Sequence, residues 1–488
     1  MTSIEQVTVS PTRIAAVNVG KQTRWLTRAL RRGGGTSLPG LLAERIDPRL
    51  VASLSADIPH GCVLVTGTNG KTTTTRILAD AARRFGWSVL SNREGSNLSR
   101  GVATALLAHV DRLGRLRVSP ETIGVFEIDE GALPMAITSL RPRLVVFTNL
   151  FRDQLDRYFE LDFVAHLWRE ALKELTSYAT LVLNADDPQI AFLGEGIEAG
   201  VMYYGLDDVR HAQEGLEHAA DSRRCPRCDV DLLYERTFYA HLGHYACGQC
   251  GWRRPPARVS GSRLELSSFE GAELEAATPS GNRLFHVPIA GLYNVYNALA
   301  AAAGAFALGI DPAVVEQAVA AARAAFGRLE RFELRGRQVW FVLVKNPTGF
   351  NQALRLVLGD EVRESDTLLL ALNDNGPDGQ DVSWIWDVDF ERITERRPRR
   401  VTISGTRARD LVLRLKYAGI DGVDGEPILH LDEDVVRAFW SAVEQTPPGG
   451  TLYVLPTYTA MWAVRERLAH EGYLPLFWQD GQPSAVPA

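Results

Sequence analysis

The stretch Leu64-Val65-Thr66-Gly67-Thr68-Asn69-Gly70-Lys71-Thr72-Thr73 holds the residue types that bind a nucleotide triphosphate. Apolar, β-prone residues from Cys62 to Val65 lead into a glycine-bearing loop, and a helix-compatible run from Thr72 to Arg84 follows. Strand, tight loop and helix in that order aim several backbone N–H groups and a helix N-terminus at one point, which suits phosphate. Lys71 then supplies a point charge, and Thr72 the hydroxyl that commonly ligates Mg²⁺. The strict pattern G-x-x-x-x-G-K-[ST] has glycine where this chain has Val65, so a literal motif search passes over it.

A second chemistry lies in Cys225-Pro-Arg-Cys228 and Cys247-Gly-Gln-Cys250, two C-x2-C knuckles separated by 18 residues. That spacing fits a zinc ribbon, in which four thiolates surround Zn²⁺ and leave no open coordination position. The expected role is therefore structural: the metal holds together an insert too small and polar to make its own core. His241 and His244 fall between the knuckles and read as solvated loop histidines. Acidic and amide residues supply a third signal. Glu127 with Asp129 and Glu130, Thr148-Asn149 with Asp153 and Asp156, and Asn184 with Asp186 and Asp187 each follow an apolar run. Polar groups at three strand ends beside a phosphate loop are best explained by one nucleotide–metal site, with a carboxylate reaching Mg²⁺.

These groups need elements to carry them. From 60 to about 205, apolar runs alternate with helical stretches, with strands expected at Gly61–Val65, Ser88–Ser91, Thr122–Ile128, Leu144–Thr148 and Ala179–Leu183. Such alternation predicts a doubly wound, mostly parallel α/β sheet. Ligands on such sheets sit at the carboxyl ends of the strands, where the loops after Val65, Phe126 and Phe147 should converge. Residues 206–258 break the pattern with charge, histidines and cysteines. A β-rich stretch follows (Arg263–Leu266, Arg283–Val287), and Gly291-Leu-Tyr-Asn294 opens an alanine-rich helix. A second α/β alternation starts near Arg331, with strands at Val339–Val344, Thr367–Leu372, Arg400–Ser404 and Thr451–Leu455. The expected organisation is an N-terminal segment (1–59), a nucleotide-binding central domain (60–328, with 206–258 as a zinc-ribbon insert) and a C-terminal α/β domain (329–488).

Bulk composition narrows the function classes. The chain has 488 residues with 45% hydrophobic and 23% charged, which is ordinary globular composition for two to four domains. A net charge of −6 offers no overall basic field for nucleic acid. No apolar run is long enough to span a bilayer, Met1 to Arg13 has no signal-peptide core, and five cysteines do not form a disulfide framework, so a cytoplasmic location is expected. Lys21, Arg24, Arg28, Arg31 and Arg32 read as a solvated helix face, with contact to a lipid phosphate as the alternative.

Gly67-Thr-Asn-Gly-Lys71-Thr-Thr73, Glu127, Thr148-Asn149…Asp153-x-x-Asp156, Leu183-Asn-Ala-Asp-Asp187, Gly291-x-Tyr-Asn294-x-Tyr-Asn297-Ala and Gly327-Arg328-Leu-Glu330-Arg occur in that order. The ordered set resembles the Mur ligase family, ATP-dependent enzymes that join an amine to a carboxylate, from about residue 60 to the C-terminus. The knuckles, the segment Leu372-Asn-Asp-Asn-Gly-Pro-Asp378-Gly-Gln-Asp381-Val-Ser-Trp384-Ile-Trp386-Asp387 and Tyr453-Val-Leu-Pro-Thr-Tyr-Thr-Ala resemble the branch that amidates lipid II. The resemblance implies a Mur-ligase-like P-loop domain followed by a Rossmann-like C-terminal domain. It also implies that Gly67, Thr68, Asn69, Gly70, Lys71, Thr72 and Thr73 hold ATP and Mg²⁺, and that Glu127 holds the metal. Asn294 and Asn297 then contact the nucleotide, Arg328 meets the γ-phosphate and Lys345 lies near the acyl group. Two positions depart from the family: a metal-side histidine is Gln154 here, and the carbamylated lysine aligns with Arg169, which puts a second Mg²⁺ in doubt.

The implied reaction activates the D-glutamate α-carboxyl of the lipid II stem peptide as an acyl phosphate, which ammonia converts to D-isoglutamine at the inner face of the membrane. A Cys–His glutaminase needs a free activated thiol. Four cysteines are committed to metal, and Cys62 falls on the apolar strand below the loop, so the chain should carry no glutaminase of its own. The resemblance supplies one: a partner glutamine amidotransferase subunit, to whose Cys–His pair this chain lends an aspartate, Asp378 or Asp381. Trp384 and Trp386 read either as partner-facing anchors or as same-face packing on a strand. The alternatives are a polyglutamylating Mur-like ligase that needs no partner, and a zinc-ribbon NTPase that binds nucleic acid through Arg223, Arg224, Arg227, Arg253 and Arg254.

Overall fold

The computed structural model describes residues 9–29, 38–92, 99–153, 161–213, 215–217, 220–267, 269–323, 328–359, 363, 365–396, 398, 400–420 and 429–475. Its first sheet is built from β1 (Cys62–Thr66), β2 (Ser88–Leu90), β3 (Thr122–Glu127), β4 (Leu144–Phe147), β5 (Thr180–Asn184) and β6 (Gly200–Leu206). After a hairpin of β7 (Leu232–Tyr239) and β8 (Leu242–Cys247), the sheet is completed by β9 (Val259–Ser267), β10 (Gly271–Thr278) and β11 (Gly281–Val287). The strand order is β11-β10-β9-β6-β5-β4-β1-β3-β2. Pairing is parallel from β2 through β6 to β9, and β9-β10-β11 form an antiparallel edge.

The continuous apolar run of β1 is what a central parallel strand needs, since both of its faces are covered. Val63 and Val65 pack into one core layer with the helices Lys71–Arg84 and Leu292–Ala307. Cys62 and Leu64 face the opposite layer, with Ala16, Ala43 and Leu54 from three N-terminal helices (Pro11–Ala29, Leu38–Ile46 and Leu50–Ser55). Lys21 and Arg24 are half-buried on the first of these, while Arg31 and Arg32 lie outside the described residues. Among the described residues no helix is long and apolar enough to cross a membrane.

The second sheet contains β12 (Arg328–Leu334), β13 (Arg337–Val342), β14 (Thr367–Ala371), β15 (Arg400–Ser404), β16 (Leu429–Leu431) and β17 (Thr451–Pro456), in the order β12-β13-β17-β14-β15-β16. Only β12–β13 is antiparallel.

The doubly wound sheet agrees with the sequence pattern, and several elements depart from it. Strand β6 is one the sequence pattern passed over: its run Val201-Met-Tyr-Tyr204 is short, framed by Gly200 and Gly205, and only half-buried over its first half. The β7–β8 hairpin lies inside the cysteine-bearing segment, where the adjacent Glu235-Arg236 interrupts the apolar residues of β7 and Gly243-His244 those of β8. Trp384 and Trp386 stand in a single tight helical turn, Ser383–Asp387, and not on a strand. Trp384 packs against Phe350 (ring centroids 6.2 Å apart), while Trp386 is exposed beside Tyr417.

Candidate functional site

The loop Gly67–Gly70 is threaded between the end of β1 and the loop that follows β4. Both glycines are forced by close approach: a Cβ on Gly67 (φ 127°) would stand 2.2 Å from Thr148 Oγ1, and one on Gly70 (φ 88°) 1.9 Å from Asn297 Oδ1. Thr68 N donates to Asn149 O (2.9 Å), Asn69 N to Asn149 Oδ1 (2.9 Å), and Thr148 Oγ1 to Asn69 O (2.8 Å). With its outer edge fixed in this way, the loop delivers Lys71, Thr72 and Thr73 to the first turn of a helix, where N–H groups lack intrahelical partners. Thr72 Oγ1 donates to Glu127 Oε1 at 3.0 Å, and Asn92 brackets the Glu127 backbone by accepting from its N (3.0 Å) and donating to its O (2.8 Å).

Lys71 is buried and turns back into the loop. Its Nζ donates to Gly67 O (2.6 Å), Thr68 O (3.3 Å) and Glu130 Oε2 (2.9 Å), with Asp129 Oδ1 at 3.6 Å. Burial alone would pull the ammonium pKa down, but Glu130, Asp129 and Glu127 together hold it well above the ordinary lysine value. Glu130 is pushed up to about 7: burial raises it most, Lys71 opposes, and Asp129 adds to the rise. Sequence reasoning grouped Glu130 with its neighbours and gave it no role of its own. Its place after Ile128 and its companion Asp129 were the only signals, and neither reveals the approach of Lys71.

Asn297 faces the loop at Gly70 from the helix Leu292–Ala307, and Asn294 lies one turn before it. Asn294 Nδ2 donates to Ala290 O (2.8 Å) and Asn297 Nδ2 to Asn294 Oδ1 (3.1 Å). Lys345 follows β13 and forms an ion pair with Asp153, from the loop after β4. Asn346 Nδ2 reaches Asn69 Oδ1 (3.2 Å), so the two sheets meet over the phosphate loop. A cleft of about 710 Å³, open solvent included, lies between them and is lined by Asn69, Gly70, Tyr293, Asn297, Lys345 and Gln352. A smaller one of about 380 Å³ shares Lys345 and runs past Arg152 and Asp153 to Asp381 and Trp384. Arg328 opens β12 opposite Val342; its side chain lies outside the described residues, as do Gln154 and Asp156. Arg169 sits over the Phe192 ring, 4.5 Å from its centroid.

The two candidate aspartates behave differently. Asp378 is buried and its carboxylate accepts Thr459 N (2.8 Å) and Thr459 Oγ1 (2.5 Å), at the start of the helix Tyr458–His470. The Thr457 side chain makes no cap there, so Asp378 does that work from another loop. Burial raises its pKa against those hydrogen bonds. Asp381 is exposed, accepts Ser383 N at 2.8 Å and is held below the usual carboxylate range by hydrogen bonds from Ser383.

Cys225, Cys228, Cys247 and Cys250 converge with their sulfurs within 4.8 Å of one another, Cys225–Cys250 at 3.7 Å and Cys228–Cys247 at 3.4 Å. Tetrahedral Zn²⁺ with Zn–S of about 2.3 Å sets sulfurs roughly 3.8 Å apart, so the cluster fits such an ion. Of the histidines between the knuckles, expected to be solvated, one is buried and the other half-buried. His241 is wholly buried against the Phe151 ring, and His244 Nε2 lies 2.9 Å from Leu206 O, because the hairpin folds back onto the first sheet. Of the arginines around the knuckles, Arg224 pairs with Asp229, Arg227 with Glu195, and Arg254 with Asp186 and Asp207. Cys62 is buried, and burial pushes its thiol up to about 12.

A Mur ligase middle-domain model matches residues 65–228, and a MurT ligase C-terminal model matches residues 343–461. The chain is 32% identical over 455 residues to a Staphylococcus aureus (strain COL) protein named lipid II isoglutaminyl synthase (glutamine-hydrolyzing) subunit MurT. That match covers 93% of this chain and 97% of the relative. Identity to the subunit of the same name from Streptococcus pneumoniae (strain ATCC BAA-255 / R6) is 34%, over 90% and 93% of the two chains. Among solved structures, a pseudomurein peptide ligase type C from Methanothermus fervidus matches with a TM-score of 0.63 at 22% identity, covering 85% and 80%. MurF from Thermotoga maritima in complex with ADP matches with 0.60 at 13% identity, covering 87% and 83%. The structural likenesses carry the fold; on the strength of the sequence relatives, the chain belongs to the MurT branch of the ATP-dependent Mur ligase family.

Proposed function

We propose that this chain is the ligase subunit of a lipid II amidating complex, converting the D-glutamate α-carboxyl of the stem peptide to an amide with ATP and ammonia. The observation that carries the reading is the meeting of the phosphate loop with Lys345 across one cleft, in a chain whose relatives bear that function by name. A carboxylate is a poor acyl donor because its leaving group would be oxide. Its oxygen attacks the γ-phosphorus of ATP, the bond to the β-phosphate oxygen breaks, and ADP leaves behind an acyl phosphate. Ammonia then adds to the carbonyl carbon, phosphate departs with the carbon–oxygen bond, and the surplus proton on nitrogen is lost to solvent.

In this scheme Lys71 leaves Glu130 for the β- and γ-phosphates, while the N–H groups of Gly70 to Thr72 hold their oxygens. The Thr72 hydroxyl and the Glu127 carboxylate, 3.0 Å apart, are hard oxygen donors suited to Mg²⁺, which would neutralise phosphate charge. Asn294 and Asn297 face the nucleotide, and Arg328 is assigned to the γ-phosphate. Lys345, released from Asp153, stabilises the charge that develops on the acyl group. The four thiolates hold Zn²⁺ in a closed shell.

Ammonia comes from a glutamine amidotransferase partner, and Asp381 is the aspartate lent to its Cys–His pair. Asp381 is exposed and ionised, whereas Asp378 is spent on capping an internal helix. An aspartate behind a histidine fixes the imidazole tautomer and stabilises the imidazolium.

The test co-expresses the chain with its amidotransferase and follows lipid II by mass, giving either glutamine or ammonium as nitrogen source. A loss of about 1 Da per stem peptide, hydroxyl replaced by amine, is expected from both. Asp381→Asn should abolish glutamine use and spare ammonium-driven turnover, while Asp378→Asn should destabilise the chain. ATP turnover with lipid II unchanged under either source would overturn the reading and bring forward an amino-acid ligase.

A further inference from the structure

We propose that the cysteine-bearing insert is a positioning element for the ligase site, in which His241 and Asp221 hold the loop Leu150–Asp153 and so set Asp153 against Lys345. The part that concerns turnover rests on the amidation reading above.

The loop after β4 is gripped residue by residue. Leu150 N donates to Asp187 Oδ2 (2.8 Å), Phe151 N to Thr68 Oγ1 (3.0 Å) and Arg152 N to Asp221 Oδ2 (2.9 Å), and the Arg152 guanidinium pairs with the same Asp221 carboxylate. The next residue, Asp153, meets Lys345. His241, in the turn between β7 and β8, joins the outer two of these grips. Its Nδ1 accepts Asp221 N at 3.2 Å, which leaves the ring proton on Nε2, and Nε2 faces Asp187 Oδ2 at 3.4 Å. Its ring lies against Phe151, with centroids 4.7 Å apart. A wholly buried histidine with an underused nitrogen beside a carboxylate is costly for a mere packing residue, since a leucine or phenylalanine would fill the space without polar atoms.

The other member of the pair is tied to the same insert. Lys345 lies one residue ahead of the helix Pro347–Val357, before its N-cap Asn346, and from that helix Arg355 donates to Phe238 O on β7 (3.2 Å) and Gln213 Oε1 (2.9 Å) and pairs with Glu217. The insert therefore holds the loop that carries Asp153 on one side and the helix that follows Lys345 on the other. Misplacement of a reacting group by about 1 Å costs on the order of 100-fold in rate, so such a brace has catalytic consequence without touching substrate.

The test uses the full chain with its partner, fed with ammonium, and compares wild type with His241→Phe, His241→Gln and Arg355→Ala. Readouts are metal content, melting temperature, amide exchange over Thr148–Asp153, and kcat and KM for ATP. His241→Phe keeps the ring and loses both nitrogens. It should retain metal, speed exchange of the Leu150 and Arg152 amides about tenfold, and lower kcat about tenfold with KM for ATP unchanged. His241→Gln, which restores an N–H donor, should recover part of both. Arg355→Ala should lower kcat without loosening Leu150–Arg152.

If His241→Phe loosens only the β7–β8 hairpin and leaves the loop and kcat as in wild type, the insert is structural and the proposal fails. Should that variant not fold, Arg355→Ala decides alone, and an unchanged kcat overturns the brace. Faster loop exchange in a protein whose wild type leaves lipid II unaltered would sink the amidation reading while sustaining the grip.

Discussion

The phosphate loop and the cysteine-bearing insert reach the same loop after β4 by opposite means. The phosphate loop does so with its own backbone: N–H groups of neighbouring residues bond Asn149, and two glycines allow the approach. The insert does so with side chains far apart in sequence, Asp221 and His241, made neighbours by a hairpin whose base the four sulfurs close. A local motif can carry its geometry in the sequence, because the chain between its parts is short. A brace assembled from distant residues depends on whatever holds the hairpin shut.

This contrast can be broken at its strongest point first. Lys71→Ala removes the only cation that, among the described residues, bonds the loop carbonyls, and ATP-dependent turnover should fall about 10²–10³-fold with the fold intact, read by ADP release and circular dichroism. A residual rate near wild type would mean that the loop does not hold the triphosphate. Cys228→Ser is next. Structural zinc contributes on the order of 10 kcal/mol to the folding of small metal modules, so the variant should lose its metal and amide protection across β7 and β8. Protection over Lys71–Arg84 should survive, because that helix packs chiefly on β1, β2 and β3 and on the helices Leu292–Ala307 and Pro312–Ala320. Equal loss in both regions would merge the two into one cooperative unit.

What was legible follows the same division. Gly70-Lys71-Thr72 after an apolar run announced strand, loop and helix, and alternating apolar runs announced the parallel sheet, since a strand buried on both faces has few sequences open to it. The cysteine spacing announced a cluster that the folded chain assembles. Neither pattern placed His241, which in sequence is one more polar residue in a charged segment and in space is sealed against Phe151. Asp378 and Asp381 share a Gly-containing turn and were inseparable as letters. Thr459, remote in the chain, separates them by claiming Asp378.

A subtler difference concerns protons. Burial raises Glu130 to about 7 from the ordinary 4.5, so the folded chain holds this proton more tightly than the unfolded one. The stability that proton binding contributes is complete below about pH 4.5 and is lost as the pH rises to about 7. Glu130→Gln should therefore flatten the fall in melting temperature between pH 5 and 8 relative to wild type; a parallel curve would show that Glu130 titrates normally. The smallest effect is expected at Cys62. With its thiol pushed up to about 12 by burial on β1, it should resist iodoacetamide at pH 8 in the folded protein and react only after unfolding, as mass spectrometry would read.

The central claim is that the γ-phosphoryl group of ATP activates a carboxylate of the lipid-linked substrate before nitrogen enters. Lipid II carrying ¹⁸O in the D-glutamate α-carboxyl, turned over by the complex with ammonium, tests it directly. The account predicts one ¹⁸O in the released phosphate for each amide formed. Amide formation with unlabelled phosphate, or with label in AMP, would contradict it.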